Sequence, residues 1–315
     1  MVVKSVARWL SPAGSSARLS VLIFHRVLPV QDPLFPEEMH AHRFDAVCGW
    51  LKQWFNVLPL DTAVRHLKAG SLPARAACIT FDDGYADNLH VAMPILQRHG
   101  MTATFFIATG FLDGGRMWND SIIESIRACT QPVLDLSALA LGSHAVGSIS
   151  EKTAAIVALI EKIKYRSIQE RISVTGKVAL LAGARLPHNL MMTSNEVKAM
   201  RQGGMQIGAH TMSHPILATL ADAEAKREIE GSKYFLEGLL GERVSLFAYP
   251  NGKPGEDYTP QNVAMVRSLD FDAAVCTAWG NNSAGADLFQ MRRFTPWDHG
   301  KLRFGMRMLT NLRSA

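Results

Sequence analysis

Two short segments of the chain carry side chains whose types and spacing could do hydrolytic chemistry. One segment reads Thr-Phe-Asp-Asp-Gly and contains Asp82 and Asp83; the other reads His-Thr-Met-Ser-His-Pro and contains His210 and His214. One aspartate and two histidines are the usual number and type of protein ligands at an open catalytic zinc site. The remaining aspartate would be free to handle protons beside the metal, as in a metal-assisted hydrolase.

The two adjacent carboxylates are expected to point in different directions and to serve different partners. A carboxylate bound to a divalent cation stays ionised, and its neighbour can accept a proton as a general base. Gly84 permits the tight turn that would aim both groups. The alternative is an Asp-Asp-Gly surface turn, which is disfavoured because the segment directly follows the apolar run Ala-Cys-Ile-Thr-Phe.

The second segment places two imidazoles four residues apart, which would put them on one face of a helical turn. The proline at 215 would fix the chain beyond them, and the hydroxyls of Thr211 and Ser213 could orient the rings. Such a pair is a modest signal alone. Together with Asp82 and Asp83, it favours a metal site.

Short apolar runs alternate with amphipathic stretches along most of the chain, which favours an α/β fold with a mostly parallel sheet. The predicted strands are 19–25, 76–81, 102–108, 205–209, 244–249, 273–277 and 288–293. The predicted helices are about 43–55, 62–68, 86–99, 221–240, 260–269 and 300–312.

The chemically interesting residues follow the ends of these predicted strands. His25 ends the first, Asp82 and Asp83 the second, His210 the fourth, and Pro-Asn-Gly at 250–252 the fifth. A barrel of parallel strands has its active site on that face, and an open doubly wound sheet also gathers ligands there. The barrel is favoured because four or five strand ends contribute.

Residues 113–195 interrupt the alternation of strands and helices. The segment is predicted to be helical, with 151–171 as its clearest helix, and contains no strong strand candidate. We therefore predict a single domain, 1–315, that contains this helical insertion. The insertion would either shape a substrate cleft on the catalytic face or pack on the flank of the barrel.

The composition is that of a globular protein, with 315 residues, 48% of them hydrophobic, and a net charge of +5. The basic residues form no run or aromatic-basic stripe, so a nucleic-acid partner is not predicted. The charge indicates either a solvated basic surface or attraction to an anionic glycan or lipid headgroup.

Three features bear on location. The four cysteines include no Cys-x-x-Cys pair, and a disulfide framework is not expected in a chain this long, which favours the cytoplasm. The apolar patch near the N-terminus is interrupted at Ser11 and Pro12, so no export signal is predicted. No stretch approaches the ~20 apolar residues of a membrane span, although peripheral membrane contact stays open. The sequence does not indicate an oligomeric state.

The two metal-site segments resemble the first two motifs of the polysaccharide deacetylases, the NodB-homology group or carbohydrate esterase family 4. Residues 20–26 look like the opening strand of that family, and Phe-Ala-Tyr-Pro-Asn-Gly at 247–252 looks like its third motif. Residues 118–120 and 191–193 are similar to members with a long insertion. The resemblance covers most of the chain.

The resemblance implies a role for each matching residue. Asp82 would be the catalytic base, and Asp83, His210 and His214 would hold a divalent metal, most often zinc. The backbone N–H near Asn251 would help to polarise the substrate carbonyl. The implied fold is a distorted or incomplete (β/α) barrel of about seven parallel strands.

The departures from the family pattern include the arginine of the third motif and the histidine of the last motif. Ala248 stands where many members carry an arginine that pairs with the catalytic aspartate; Arg292 or Arg293 could supply this charge, or could form structural or surface ion pairs. The closing stretch of the chain has no Leu-x-His, the motif whose histidine would be the general acid according to the resemblance. His299 is a candidate by position, with an exposed histidine at a helix start as the alternative. His25 is a candidate pocket residue, with a buried, hydrogen-bonded histidine as the alternative.

The expected function is hydrolysis of N-acetyl groups on a polysaccharide or a lipid-linked oligosaccharide by a metal-dependent deacetylase. A related hydrolase acting on an O-acetyl ester, a formamide or a cyclic amide is the first alternative, because the motifs define the metal chemistry and leave the acyl group open. A non-catalytic glycan-binding relative is the second. The intact set of Asp82, Asp83, His210 and His214 disfavours it, since binding alone needs no base beside a metal.

Overall fold

The computed structural model describes residues 2–314, which divide into two units. The first contains residues 2–30, 39–112 and 192–314, and the second contains Gln31–Glu38 and Asp113–Met191. The second unit includes most of the predicted insertion, 113–195. It also includes the earlier segment Gln31–Glu38, which was not predicted to belong with the insertion.

The described residues form the following elements. The strands are β1 Ser20–Phe24, β2 Asn56–Val57, β3 Ala76–Phe81, β4 Thr104–Ile107, β5 Val133–Asp135, β6 Ser143–Ala145, β7 Gln206–Ala209, β8 Leu246–Ala248 and β9 Ala273–Val275. The helices are α1 Val2–Leu10, α2 Ala41–Trp54, α3 Leu60–Lys68, α4 Met93–His99, α5 Trp118–Ala128, α6 Ile149–Ile163, α7 Ile168–Leu181, α8 Ser194–Gln202, α9 Asp222–Leu240, α10 Pro260–Ser268 and α11 Lys301–Arg313. A π-helical turn at Asn88–Ala92 precedes α4, and 3-10 turns occupy Thr109–Phe111, Ser137–Leu139 and Leu217–Thr219.

The first unit is built on one parallel sheet with the order β1-β3-β4-β7-β8-β9, and β2 pairs with β3. The sheet curls into a half-barrel with helices, which confirms the predicted distorted (β/α) barrel. The predicted strand 288–293 is wrong, because this segment makes only one isolated bridge, from Met291 to Val275, and Phe294, just beyond it, makes another to Leu22. These bridges connect the last strand of the sheet to the first.

Side chains alternate between two apolar clusters along the central strands, as the two-residue period of a strand requires. In β3, Ala77, Ile79 and Phe81 join one cluster, whereas Ala76 and Cys78 join the other. Both faces are buried, which is typical of a parallel sheet covered on each side. The same alternation continues to the residue after Phe81 and directs its side chain to the face of Cys78.

The second unit corrects two sequence-based expectations. Its β5 and β6 form an antiparallel pair, where no strand was predicted. The predicted helix 151–171 is two helices, α6 and α7, and each begins with a capping box, built from Ser148 and Glu151 and from Ser167 and Glu170.

Within residues 2–314, no helix has the length and apolar character needed to cross a membrane.

Candidate active site

Four chain segments that leave the parallel sheet carry the candidate site residues. His25 follows β1, Asp82 follows β3, His210 follows β7, and Asn251 lies three residues beyond β8. Because the strands are parallel, their C-terminal ends lie at one edge of the curled sheet, where barrel enzymes place their active sites. The candidate residues therefore lie at the strand ends of a single sheet edge.

The turn after β3 separates the two adjacent carboxylates. Asp83 adopts φ 78° and Gly84 adopts φ 91°, so the chain turns sharply through two left-handed residues. A Cβ on Gly84 would also lie 3.3 Å from the Ile107 side chain. Asp82 contacts Arg293, while Asp83 faces His210. The expectation that the two side chains diverge is met by this backbone geometry.

Asp83, His210 and His214 converge on one small volume. Asp83 Oδ1 lies 3.5 Å from Nε2 of His210 and 3.5 Å from Nε2 of His214. One potential ligand atom from each residue lies within 4.8 Å of the others. Asp83 Oδ1 and His210 Nε2 are buried and have no hydrogen-bond partner. Since buried polar atoms are nearly always paired, these two atoms fit a bound cation.

The ring of His210 is oriented by a backbone contact. Its Nδ1 lies 2.8 Å from the carbonyl oxygen of Ala248 and donates a hydrogen bond to it. This contact leaves Nε2 with the lone pair, directed toward Asp83. Metal-ligating histidines commonly use their second nitrogen in this way. Ala248 thus orients the ring through its backbone carbonyl.

The histidine segment is a loop, and the predicted helical turn is wrong. Thr211 and His214 have φ values of 63° and 52°, in the left-handed region, and the two imidazole centroids lie 4.9 Å apart. The hydroxyls expected to orient the rings make other contacts. Thr211 Oγ1 donates to the His210 carbonyl and accepts from the His214 N–H, and the Ser213 hydroxyl donates to Glu228.

Glu228 of α9 fixes the middle of this loop. Its Oε2 accepts the backbone N–H groups of Met212 at 2.9 Å and Ser213 at 2.8 Å, and its Oε1 accepts the Ser213 hydroxyl at 2.7 Å. A backbone contact also holds the loop, because the Gly110 N–H donates to the Met212 carbonyl at 2.8 Å. A Cβ on Gly110 would lie 2.8 Å from that carbonyl oxygen, so the contact requires glycine. Sequence reasoning missed both residues, because neither belongs to a local motif.

Asp82 forms a bidentate ion pair with Arg293. Nη1 and Nη2 of the guanidinium donate to Oδ1 and Oδ2 of the carboxylate, both at 2.7 Å. Arg293 is 0% exposed and also donates to the Cys276 carbonyl and to Thr80 Oγ1. Of the two arginines that the sequence offered for this contact, Arg293 makes it. The backbone N–H and carbonyl of Arg292 instead bond to the side chain of Asn282.

The electrostatics of the site favour ionised carboxylates beside positive charge. Burial alone would raise the pKa of Asp82, but Arg293, His210 and His25 together outweigh it and hold the pKa below its usual value. Burial would also raise the pKa of Asp83, yet its contact with His210 and the charges of His214 and His25 hold it well below the usual range.

The two imidazoles respond in opposite directions to this surrounding. Burial lowers the pKa of His214 to about 4, so that ring is neutral near neutral pH, as a metal ligand must be. Burial would also lower the pKa of His210, but Asp83 and Asp82 overcome it and raise the value. The space between these groups therefore favours a positive charge.

The other candidate residues occupy distinct places. His25 is exposed, which excludes the alternative of a buried histidine, and its charge lowers the pKa values of Asp82 and Asp83. His299 is also exposed, and its charge acts on His40, in the segment before α2. Asn251 has φ 57°, and its carbonyl accepts a hydrogen bond from Thr277.

The family is decided by a match to the polysaccharide deacetylase model over residues 69–135 and 142–274, which is more than half of the chain. The chain belongs to the polysaccharide deacetylase family. Membership supports a hydrolase that removes acetyl groups, and residues 82–84 and 210–215 both lie inside the matched region.

Two solved structures and one further protein illustrate what the chain resembles over most of its length. The Streptococcus pyogenes deacetylase PplD, solved in complex with acetate, has a TM-score of 0.62 at 19% identity, covering 94% of this chain and 98% of that one. IcaB from Ammonifex degensii has a TM-score of 0.61 at 17% identity, covering 95% and 98%. In Bacillus subtilis (strain 168), the protein named "Putative polysaccharide deacetylase YxkH" is 19% identical over 279 residues, 88% of this chain and 71% of that protein.

Proposed function

We propose that this chain is a metal-dependent deacetylase that hydrolyses the N-acetyl groups of a polysaccharide or a lipid-linked oligosaccharide. The observation that carries the proposal is the convergence of Asp83, His210 and His214, with two buried ligand atoms left unpaired, beside a carboxylate held by Arg293. This donor set, one carboxylate and two imidazoles, is the one zinc uses when it keeps an open position for chemistry.

Each residue would have a separate task in the reaction. Asp83, His210 and His214 would hold the metal, which when bound supplies Lewis-acid polarisation of the acetyl carbonyl. Asp82 would accept the proton of the attacking water. Its bidentate contact with Arg293 keeps the carboxylate ionised and fixes its orientation, both of which a general base requires.

The amine that leaves during amide hydrolysis must receive a proton, and His25 is the better candidate to donate it. It directly follows β1, which pairs with the strand that Asp82 follows, and its charge contributes to the lowered pKa values of Asp82 and Asp83. His299 acts instead on His40. The N–H near Asn251 would donate to the carbonyl oxygen as negative charge develops there.

The test is acetate release from N-acetylglucosamine oligomers of several linkages, with metal content measured on the same protein. Asp82→Asn should retain the metal and lose about 10²–10⁴-fold in kcat, the usual contribution of a positioned general base. His210→Ala should lose stoichiometric metal. Asp272→Asn, which removes an exposed carboxylate paired with Arg243, is the matched control and should retain both properties.

Three outcomes would revise the proposal. An active Asp82→Asn enzyme would reassign the base, and stoichiometric metal in His210→Ala would refute the ligand assignment. If acetate is released only from O-acetylated sugars, the bond that the enzyme hydrolyses is an ester and not an amide. The proton donor is tested by comparing the pH–rate profiles of His25→Ala and His299→Ala. His25→Ala should lose the limb of the profile that requires a protonated acid. If only His299→Ala loses that limb, His299 is the proton donor.

A further inference from the structure

Two helices of the first unit that the active site does not use, α1 and α11, pack closely against each other. A Cβ placed on Gly305 of α11 would lie 3.0 Å from Cγ2 of Val3 in α1 and 3.1 Å from the Trp54 ring, so the helices meet at a point where only glycine fits. Val3 and Phe304 are buried and anchor the helices on the core. The pair is thus a defined surface of the first unit.

Each helix also exposes a stripe of large apolar side chains. In α1, Val2 and Trp9 are 75% and 81% exposed; in α11, Leu302 and Met306 are 74% and 56% exposed. Leu302 and Met306 are four residues apart, and Val2 and Trp9 are seven apart, so each pair lies on one side of its helix. Viewed down each helix axis, the first apolar residue of the stripe lies within about 100° of the residue that contacts the other helix. These pairs are Val2 and Val3 in α1, and Leu302 and Gly305 in α11.

The charge of this surface has one sign. Neither α1 nor α11 contains an acidic residue, and together they carry six basic ones. Arg307 is paired with Asp298. The basic side chains that remain are exposed: Lys4, Arg8, Lys301, Arg303 and Arg313. We call the exposed apolar and basic residues of both helices the α1–α11 face.

We propose that the α1–α11 face binds the surface of a membrane that contains anionic lipids. A helix with an apolar stripe that includes tryptophan and is flanked by lysine and arginine has the composition of an interfacial membrane helix. Anionic headgroups complement the basic residues, and the acyl boundary accommodates the apolar ones. A second copy of this chain is a poorer partner, because a twofold contact would bring like charges together.

The test uses the full chain and sedimentation with vesicles of phosphatidylcholine alone or with 30% phosphatidylglycerol. At low salt, the protein should bind the anionic vesicles at least roughly tenfold better than the neutral ones, and 0.5 M salt should weaken the binding. The Lys4→Gln/Arg8→Gln variant should bind roughly fivefold more weakly per residue changed. Trp9→Ser/Leu302→Ser should also lose binding, with acetate release from a water-soluble oligomer unchanged.

The matched control changes Lys177→Gln and Leu180→Ser, which are exposed residues of α7, and should bind like the wild type. The proposal is overturned if the wild type does not bind anionic vesicles, if the control loses binding to the same extent, or if binding is equal on both vesicles. It is also overturned if the variants instead abolish a dimer in solution. The same holds if a DNA duplex binds the protein as tightly as the anionic vesicles do and displaces it from them.

Discussion

The strand-end edge of the first unit and the helices of the second unit are stabilised by opposite means. At the edge, Asp82 and Arg293 form a buried charge pair, and Asp83 and His214 adopt left-handed backbone conformations that cost free energy. In the second unit, α6 and α7 begin with exposed capping boxes and bury an apolar stripe. The conformation of the edge is unfavourable in free energy and depends on contacts with residues distant in sequence. The helices of the second unit begin at signals in the local sequence.

The difference agrees with the proposal that the strand-end edge carries the chemistry. Left-handed non-glycine residues and buried charges persist only where the surrounding structure determines them fully. Asp83, Thr211, His214 and Asn251 all have positive φ, and all follow strands of the sheet. A substitution at the edge should therefore affect stability, metal binding and turnover together, while one at a helix cap should affect stability alone.

The largest effect should come from Arg293→Met. It leaves the Asp82 carboxylate buried without its bidentate partner, and breaking one side of a buried ion pair typically costs 3–5 kcal/mol, so we expect about that loss in the free energy of unfolding. Urea denaturation measures this quantity. Arg292→Met, at the adjacent and half-buried position, is the control and should cost much less. Equal losses of unfolding free energy in both variants would show that the buried ion pair does not stabilise the edge, which would remove the contrast with the second unit.

A smaller effect is expected from Glu228→Ala, which removes three hydrogen bonds to the loop that carries the histidines. Removing support of this kind typically weakens metal affinity about 10–100-fold, and competition with a chelator measures it. Glu230→Ala, on the same helix, is the control. If Glu228→Ala lowers stability and leaves metal affinity unchanged, the carboxylate has only a structural role.

The smallest effect should come from Ser148→Ala at the start of α6. Loss of a serine cap costs about 0.5–2 kcal/mol, and this change should lower the unfolding free energy within that range. Metal content should not change. A loss of metal in this variant would show that the stability of the second unit affects the metal site. That result would contradict the separation of the two regions.

The parts of the fold that could be predicted are those with a local physical cause. Apolar runs predict strands because both faces of a parallel sheet are buried, and the range 76–81 matches β3. Asp82 and Asp83 were identifiable because two carboxylates rarely follow such a run. The α5–α7 region was harder, since the short pair β5–β6 has only one buried side chain, Leu134.

The rest depends on contacts between distant segments. The i, i+4 spacing of His210 and His214 predicts a helical turn, but left-handed residues in a loop held by Glu228 bring the rings together instead. The segment that carries Arg293 has the apolar character of a strand, but it forms only isolated bridges. Neither arrangement has a local signal that would allow it to be predicted.

The central claim is that Asp83, His210 and His214 bind one catalytic cation beside Asp82. The most direct measurement is anomalous diffraction at the zinc edge from crystals of the zinc-loaded protein. We expect a single strong peak at roughly 2.0–2.2 Å from Nε2 of both histidines and from a carboxylate oxygen of Asp83. A protein that releases acetate while its zinc lies elsewhere, or while this position shows no peak, would contradict the account.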